Sequence, residues 1–155
     1  MNEIALRLAA KIFDRAVIEN QYRSAFVEAM LEPVLEPYGW RYSGTEWRGC
    51  DFKRVSDKMG LEVKQSAATQ TWSDGTIIPR PVFDIAKRKG YYEGSKWFAN
   101  PGRYAEIYLF AWHPVVGKTA DHRNPNQWEF YILPTHILPD GNKKIALSRI
   151  KALLA

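Results

Sequence analysis

The sequence predicts a mixed α/β (α+β) fold in one domain spanning residues 1–155, and three observations lead there. Apolar residues recur at helical spacing through the first 35 positions. After Gly39 the pattern changes to short strand-like runs, and residues 105–113 form an apolar stretch too hydrophobic for a surface edge. Composition agrees, since 46% hydrophobic and 14% aromatic residues can fill a core, and a lone cysteine, Cys50, excludes a disulfide-stapled scaffold. No segment approaches the roughly 20 apolar residues of a membrane span. Glu3, Arg7, Lys11 and Asp14 interrupt the start of the chain, so it does not read as a signal peptide. The expectation is a cytoplasmic protein without a membrane partner.

In chain order, residues 3–37 read as helical, with Asn2 as N-cap and Pro33 forcing a kink or an end near Glu32. Asp14 is positioned to cap a second helix, which leaves one helix or two open. Trp40–Tyr42, a turn at Ser43-Gly44 and Thr45–Trp47 suggest a first strand or hairpin. Cys50–Val55 and Leu61–Ala67 are the next two strands, joined by a polar turn and therefore antiparallel. Residues 73–103 are rich in Gly, Pro, Lys and aromatics and yield only one strand, Val82–Ala86. Ala105–His113 is expected at the sheet centre, Gln127–Leu133 is a further strand, and Ile145–Leu154 a closing amphipathic helix.

Lys and Arg total 22 against 17 Asp and Glu, a net charge of +5. Most of the surplus lies between residues 50 and 103, which favours a polyanionic partner. Inside that basic stretch sits an acidic pattern. Asp51 begins the second strand, and Glu62, Lys64 and Ser66 share one face of the third by period-2 geometry, while Leu61, Val63 and Gln65 share the other. A hairpin turning at 56–60 brings Asp51 across from Glu62 and Lys64. Two converging carboxylates repel unless a hard divalent cation lies between them. A neighbouring lysine can orient a water or stabilise charge on a phosphate. The plain alternative is a cross-strand salt bridge on a solvated face.

Asp51-Phe52 followed by Glu62-Val63-Lys64-Gln65-Ser66-Ala67-Ala68 resembles the PD-(D/E)XK nuclease superfamily, with 10 and 1 residues between the three motif positions. The resemblance implies a restriction-endonuclease-like αβββαβ core, a central mixed sheet flanked by helices. It also implies an Mg2+-dependent endonuclease (Mn2+ as substitute) acting on DNA in restriction, defence or repair. On that reading Asp51, Glu62 and the Val63 carbonyl bind the metal, and Lys64 positions the attacking water. Gln65 follows the lysine as in several relatives, although strand parity turns it away. A carboxylate from the first helical region completes the set, Glu28 with Glu19 as rival, and either could instead be a helix-surface acid. Cys50 stands where the family has proline, and the helix expected between the third strand and residue 105 is hard to find.

In place of that helix, cations and rings interleave: Lys87, Arg88, Lys89, Tyr91, Tyr92, Lys96, Trp97 and Arg103. Such a segment can contact phosphates and stack on bases. Lys87, Arg88, Lys89, Arg103 and Ser66 are the candidate DNA contacts, with Arg103 foremost; the alternative is a solvated loop whose rings close the core edge. With no added recognition domain, specificity would be low or come from a homodimer or partner subunit. Rival functions are a catalytically inactive nucleic-acid-binding module and an interaction protein. His113, His122 and His136 lack metal-ligand spacing and read as structural or surface residues, the six tryptophans chiefly as core, and Cys50 as a small buried hydrophobe.

Overall fold

The computed structural model describes residues 1–43 and 49–155. Helix α1, Glu3–Phe13, is capped by Asn2, whose Oδ1 accepts the Ala5 N–H at 2.8 Å. Asp14 closes this helix at its C-terminal end instead of starting the next one. Helix α2, Asn20–Leu35, begins after Glu19 and runs through Pro33. The expected break at Glu32 is absent because a proline in the last turn removes a single donor. A 3-10 turn over Glu36–Tyr38 follows, and Gly39 reverses the chain at φ +82°.

The chain then forms strands β1 (Trp40–Tyr42), β2 (Phe52–Arg54) and β3 (Gly60–Ala67). Next come β4 (Val82–Asp84), β5 (Tyr91–Glu93), β6 (Lys96–Phe98) and β7 (Ile107–His113). Strands β8 (Glu129–Pro134) and β9 (Lys144–Ala146) precede helix α3, Leu147–Leu154. Of the expected turn at Ser43-Gly44, Gly44 lies outside the described residues, as does the continuation over 45–47. Cys50 and Asp51 precede β2 and do not belong to its ladder, and the closing helix starts later than expected because residues 144–146 pair as a strand with β4.

The main sheet has the order β1-β2-β3-β7-β8. The first three strands form an antiparallel meander, β3 and β7 are parallel, and β8 returns antiparallel. The sheet is thus mixed and β7 is an interior strand beside the central β3, paired on both edges as its composition predicts. Alternate β7 side chains feed two cores. Tyr108, Phe110 and Trp112 pack with Phe83, Leu133, Ile145 and Ile150, whereas Leu109 and Ala111 join Val27, Leu31, Phe52 and Val63 beneath α2. A strand buried on both faces must be apolar throughout, which is why 107–113 reads as it does.

The crossover from β3 to β7, residues 68–106, contains no α-helix. It carries β4, which pairs with β9, and the β5–β6 hairpin, which the Gly- and Lys-rich sequence had concealed. Tyr91 stacks on Phe98 and packs edge-on against Tyr104, so aromatic contacts hold this hairpin to the body. The tryptophans divide: Trp40, Trp112 and Trp128 are buried, Trp72 and Trp97 are exposed, and Trp47 is not among the described residues. No helix among the described residues is long and apolar enough to cross a membrane.

Candidate active site

Where β2 gives way to Asp51, its ladder with β3 stops. Phe52 pairs with Leu61 and the Asp51 N–H reaches the Leu61 carbonyl at 3.0 Å. One step further the backbone bond is replaced by a side chain: the Val63 N–H donates to Asp51 Oδ2 at 2.7 Å. Asp51 therefore caps the edge of β3 at the point where the strands part. A strand residue turns its N–H and C=O to the same edge, so the Val63 carbonyl also faces the Asp51 side.

Glu62 and Lys64 occupy the opposite face of β3 from Val63, in register with Tyr108 and Phe110 of β7. Glu62 is 3% exposed. Its Oε1 accepts from Lys64 Nζ at 2.9 Å and from Arg88 at 2.8 Å. Its Oε2 is buried and has no partner among the described residues. Two cations on one oxygen and none on the other is an uneven arrangement for a buried carboxylate, whose lone pairs ordinarily are all engaged.

Glu28 comes from α2 and accepts a hydrogen bond from the Tyr42 hydroxyl at 3.1 Å. Burial first, and then the charge of Glu62, hold its carboxyl above the usual carboxylate range, opposed by the Tyr42 bond and by Lys64. Asp51 is pushed up to about 7, chiefly by burial and then by Glu62 and Glu28. Glu28, Asp51 and Glu62 thus form one electrostatic group with Lys64 beside it, a pattern common at functional sites. Glu19 stands apart, paired with Arg15 at 3.7 Å and accepting from Gln21. Tyr42 carried no sequence signal, because its meeting with Glu28 depends on how α2 lies against β1.

Other predicted positions lie elsewhere. Gln65 points to the α2 face, as parity requires, where its amide donates to Asn20 and Ser24 and its Oε1 accepts from Arg23. These hydrogen bonds, among the described residues, place its amide away from the Glu62 and Lys64 side chains. Arg103, the foremost expected DNA contact, is engaged with backbone. Its guanidinium donates to the carbonyls of Ile85 (2.7 Å), Pro139 (2.8 Å) and Asn142 (3.1 Å) and ties the crossover to the β8–β9 connection. Arg88 lies against Glu62 at 2.8 Å with its side chain partly exposed. Lys87 is exposed and paired with Asp140 at 2.7 Å, Lys89 is exposed, and Ser66 is half-buried on the Glu62 face.

Among the described residues no three His, Cys, Asp or Glu side chains are gathered as a ready metal cage. Magnesium does not require one, since it keeps several waters and takes one or two carboxylates plus substrate oxygens. Asp51, the Val63 carbonyl and the unpartnered Glu62 Oε2 suit that style of binding. Cys50 is buried and His136 exposed, as expected, and neither joins the site. No family model matches the chain, and neither does any curated protein or solved structure.

Proposed function

We propose that this chain is a divalent-cation-dependent nuclease that hydrolyses DNA phosphodiester bonds at Asp51, Glu62 and Lys64, in keeping with the resemblance of its motif to the PD-(D/E)XK superfamily. The observation that carries the reading is the Glu62 carboxylate, 3% exposed and with Oε2 lacking a partner among the described residues. A buried acceptor of that kind costs about 1–3 kcal/mol or more unless something binds it. Magnesium would be held by Asp51, Glu62 and the Val63 carbonyl. Its contribution when bound is to lower the pKa of a coordinated water and to draw charge from the phosphoryl oxygens.

The chain's own residues do the rest. Lys64, 2.9 Å from Glu62 and partly exposed, orients the attacking water. The water oxygen bonds to phosphorus while the P–O bond to the departing sugar oxygen breaks, and the proton lost by the water is matched by one gained on that oxygen. Glu28, its carboxyl raised by burial and held by the Tyr42 hydroxyl, lies within the electrostatic reach of Glu62 and Lys64. Lys87, Lys89 and the exposed rings of Tyr92 and Trp97 offer phosphate and base contacts along the crossover.

Incubating supercoiled plasmid with Mg2+ or Mn2+ tests the reading against Glu62→Ala and Lys64→Ala. Nicking by the wild type that falls at least about 10²-fold in both variants is the expected result. Cleavage that persists in both removes the site assignment. Gel shifts without cleavage favour a binding module, and neither activity in low salt favours an interaction protein. Replacing plasmid by single-stranded RNA checks the choice of DNA.

A further inference from the structure

Arg88 was expected to be one cation in a DNA-facing run, yet its guanidinium lies 2.8 Å from Glu62 Oε1, inside the carboxylate group. Its backbone is fixed. Arg88 and Gly102 exchange two hydrogen bonds, 2.8 and 2.9 Å, in an isolated bridge that closes the β5–β6 excursion at its base. The arm that extends from this anchor remains 33% exposed. Lys64 already satisfies the same Glu62 oxygen at 2.9 Å, so two cations share one acceptor.

Charge decides what such an arrangement can do. Glu62 Oε1 faces two cations, Lys64 and Arg88, and its buried Oε2 none, so a divalent cation at Oε2 would place a third positive group on one carboxylate. Once Glu62 shares its charge with a metal, its hold on Arg88 weakens. A phosphate is then the better partner, because it offers a guanidinium two acceptor oxygens at matched spacing.

We propose that Arg88 balances Glu62 until the metal arrives and then transfers its guanidinium to the phosphate under attack, stabilising the charge that develops there. The inference rests on the nuclease reading above. It makes Arg88 a phosphate-contacting residue supplied by the crossover that replaces the expected helix.

The test compares wild type, Arg88→Ala and Arg88→Lys by Mn2+ titration of tryptophan fluorescence and by plasmid nicking at saturating Mn2+. For Arg88→Ala, Mn2+ should bind roughly three- to tenfold more tightly, since a competing cation is gone. Its kcat should nevertheless fall about 10²-fold, the usual loss for one donor to developing charge. Arg88→Lys keeps the charge without the fork, so its Mn2+ affinity should stay near wild type and its kcat recover in part. Unchanged kcat in Arg88→Ala overturns the proposal and leaves a structural ion pair. Weaker Mn2+ binding in Arg88→Ala together with no recovery in Arg88→Lys also overturns it. A wild type that neither binds Mn2+ nor nicks plasmid fails at the nuclease reading itself, which separates the two failures.

Discussion

Asp51 carries a carboxyl raised from 3.8 to about 7 because burial and the charges of Glu62 and Glu28 all oppose its ionisation. A carboxyl whose pKa is higher in the folded than in the unfolded chain stabilises the fold at low pH. That contribution is lost as pH rises from about 4 to about 7. Asp51→Asn keeps an oxygen for the Val63 N–H while removing the charge. It should therefore stabilise the metal-free protein at pH 8 by about 1–3 kcal/mol and flatten this slope, as measured by urea unfolding between pH 4 and 8. A destabilised variant would mean that the carboxylate is satisfied as it stands. The same residue was legible in the sequence because Asp51, Glu62 and Lys64 meet through one short hairpin, where strand period and turn length suffice. The second partner of Glu62 was not legible: Arg88 lies 26 positions away, and only the path of the crossover brings it back.

At the scale of elements, the crossover over residues 68–106 is where expectation and structure part most. A segment dense in Gly, Pro and Lys has weak local preferences, so pairing partners far along the chain decide its form. Residues 82–84 become a strand by meeting 144–146, and 91–98 become a hairpin in which Tyr91 stacks on Phe98 and packs edge-on against Tyr104. Arg103 holds this element from within through three backbone carbonyls. Arg103→Ala should cost about 2–4 kcal/mol, lowering the melting midpoint by roughly 5–15 °C. DNA affinity measured below that midpoint should be unchanged in its salt dependence, since three backbone carbonyls already engage the guanidinium. A reduced salt slope would return Arg103 to the DNA-contact set. Helix α2 shows the converse, with Pro33 a strong local signal overridden because it falls in a last turn that packing against β1 and β3 holds in place.

Across the whole molecule, a second polar group lies beneath α2 and the loop before β8. Arg23 is 1% exposed and donates to Gln65, Gln70, Asn20 and the Ile18 carbonyl, with its pKa lowered to about 10 by burial. Next to it, His122 accepts the Ile18 N–H on Nδ1 at 3.0 Å, which leaves the proton on Nε2 for the Thr69 carbonyl at 3.1 Å. Burial, and then the charge of Arg23, push His122 down to about 4. A histidine with a lowered folded pKa stabilises above its unfolded value, and that support disappears as pH falls from about 6.5 to about 4. This trend opposes that of Asp51. The Asp51→Asn protein should therefore lose about 2–3 kcal/mol across that window, and adding His122→Gln should flatten the loss. An unaltered acid slope in the double variant would place the titrating group elsewhere. Arg23 stands four residues before Val27 and eight before Leu31, so an arginine in an apolar row was the one available signal of this cluster. The sequence by itself determined what depends on nearest neighbours in the chain: the helical stripes, the strand periods, the apolar centre at 107–113 and the Asp51–Glu62–Lys64 hairpin. Tertiary structure alone decided which long-range partners meet, placing Arg88 on Glu62, Tyr42 on Glu28 and Gln65 on Arg23. Side-chain charge and burial act through space, over distances that spacing along the chain does not encode.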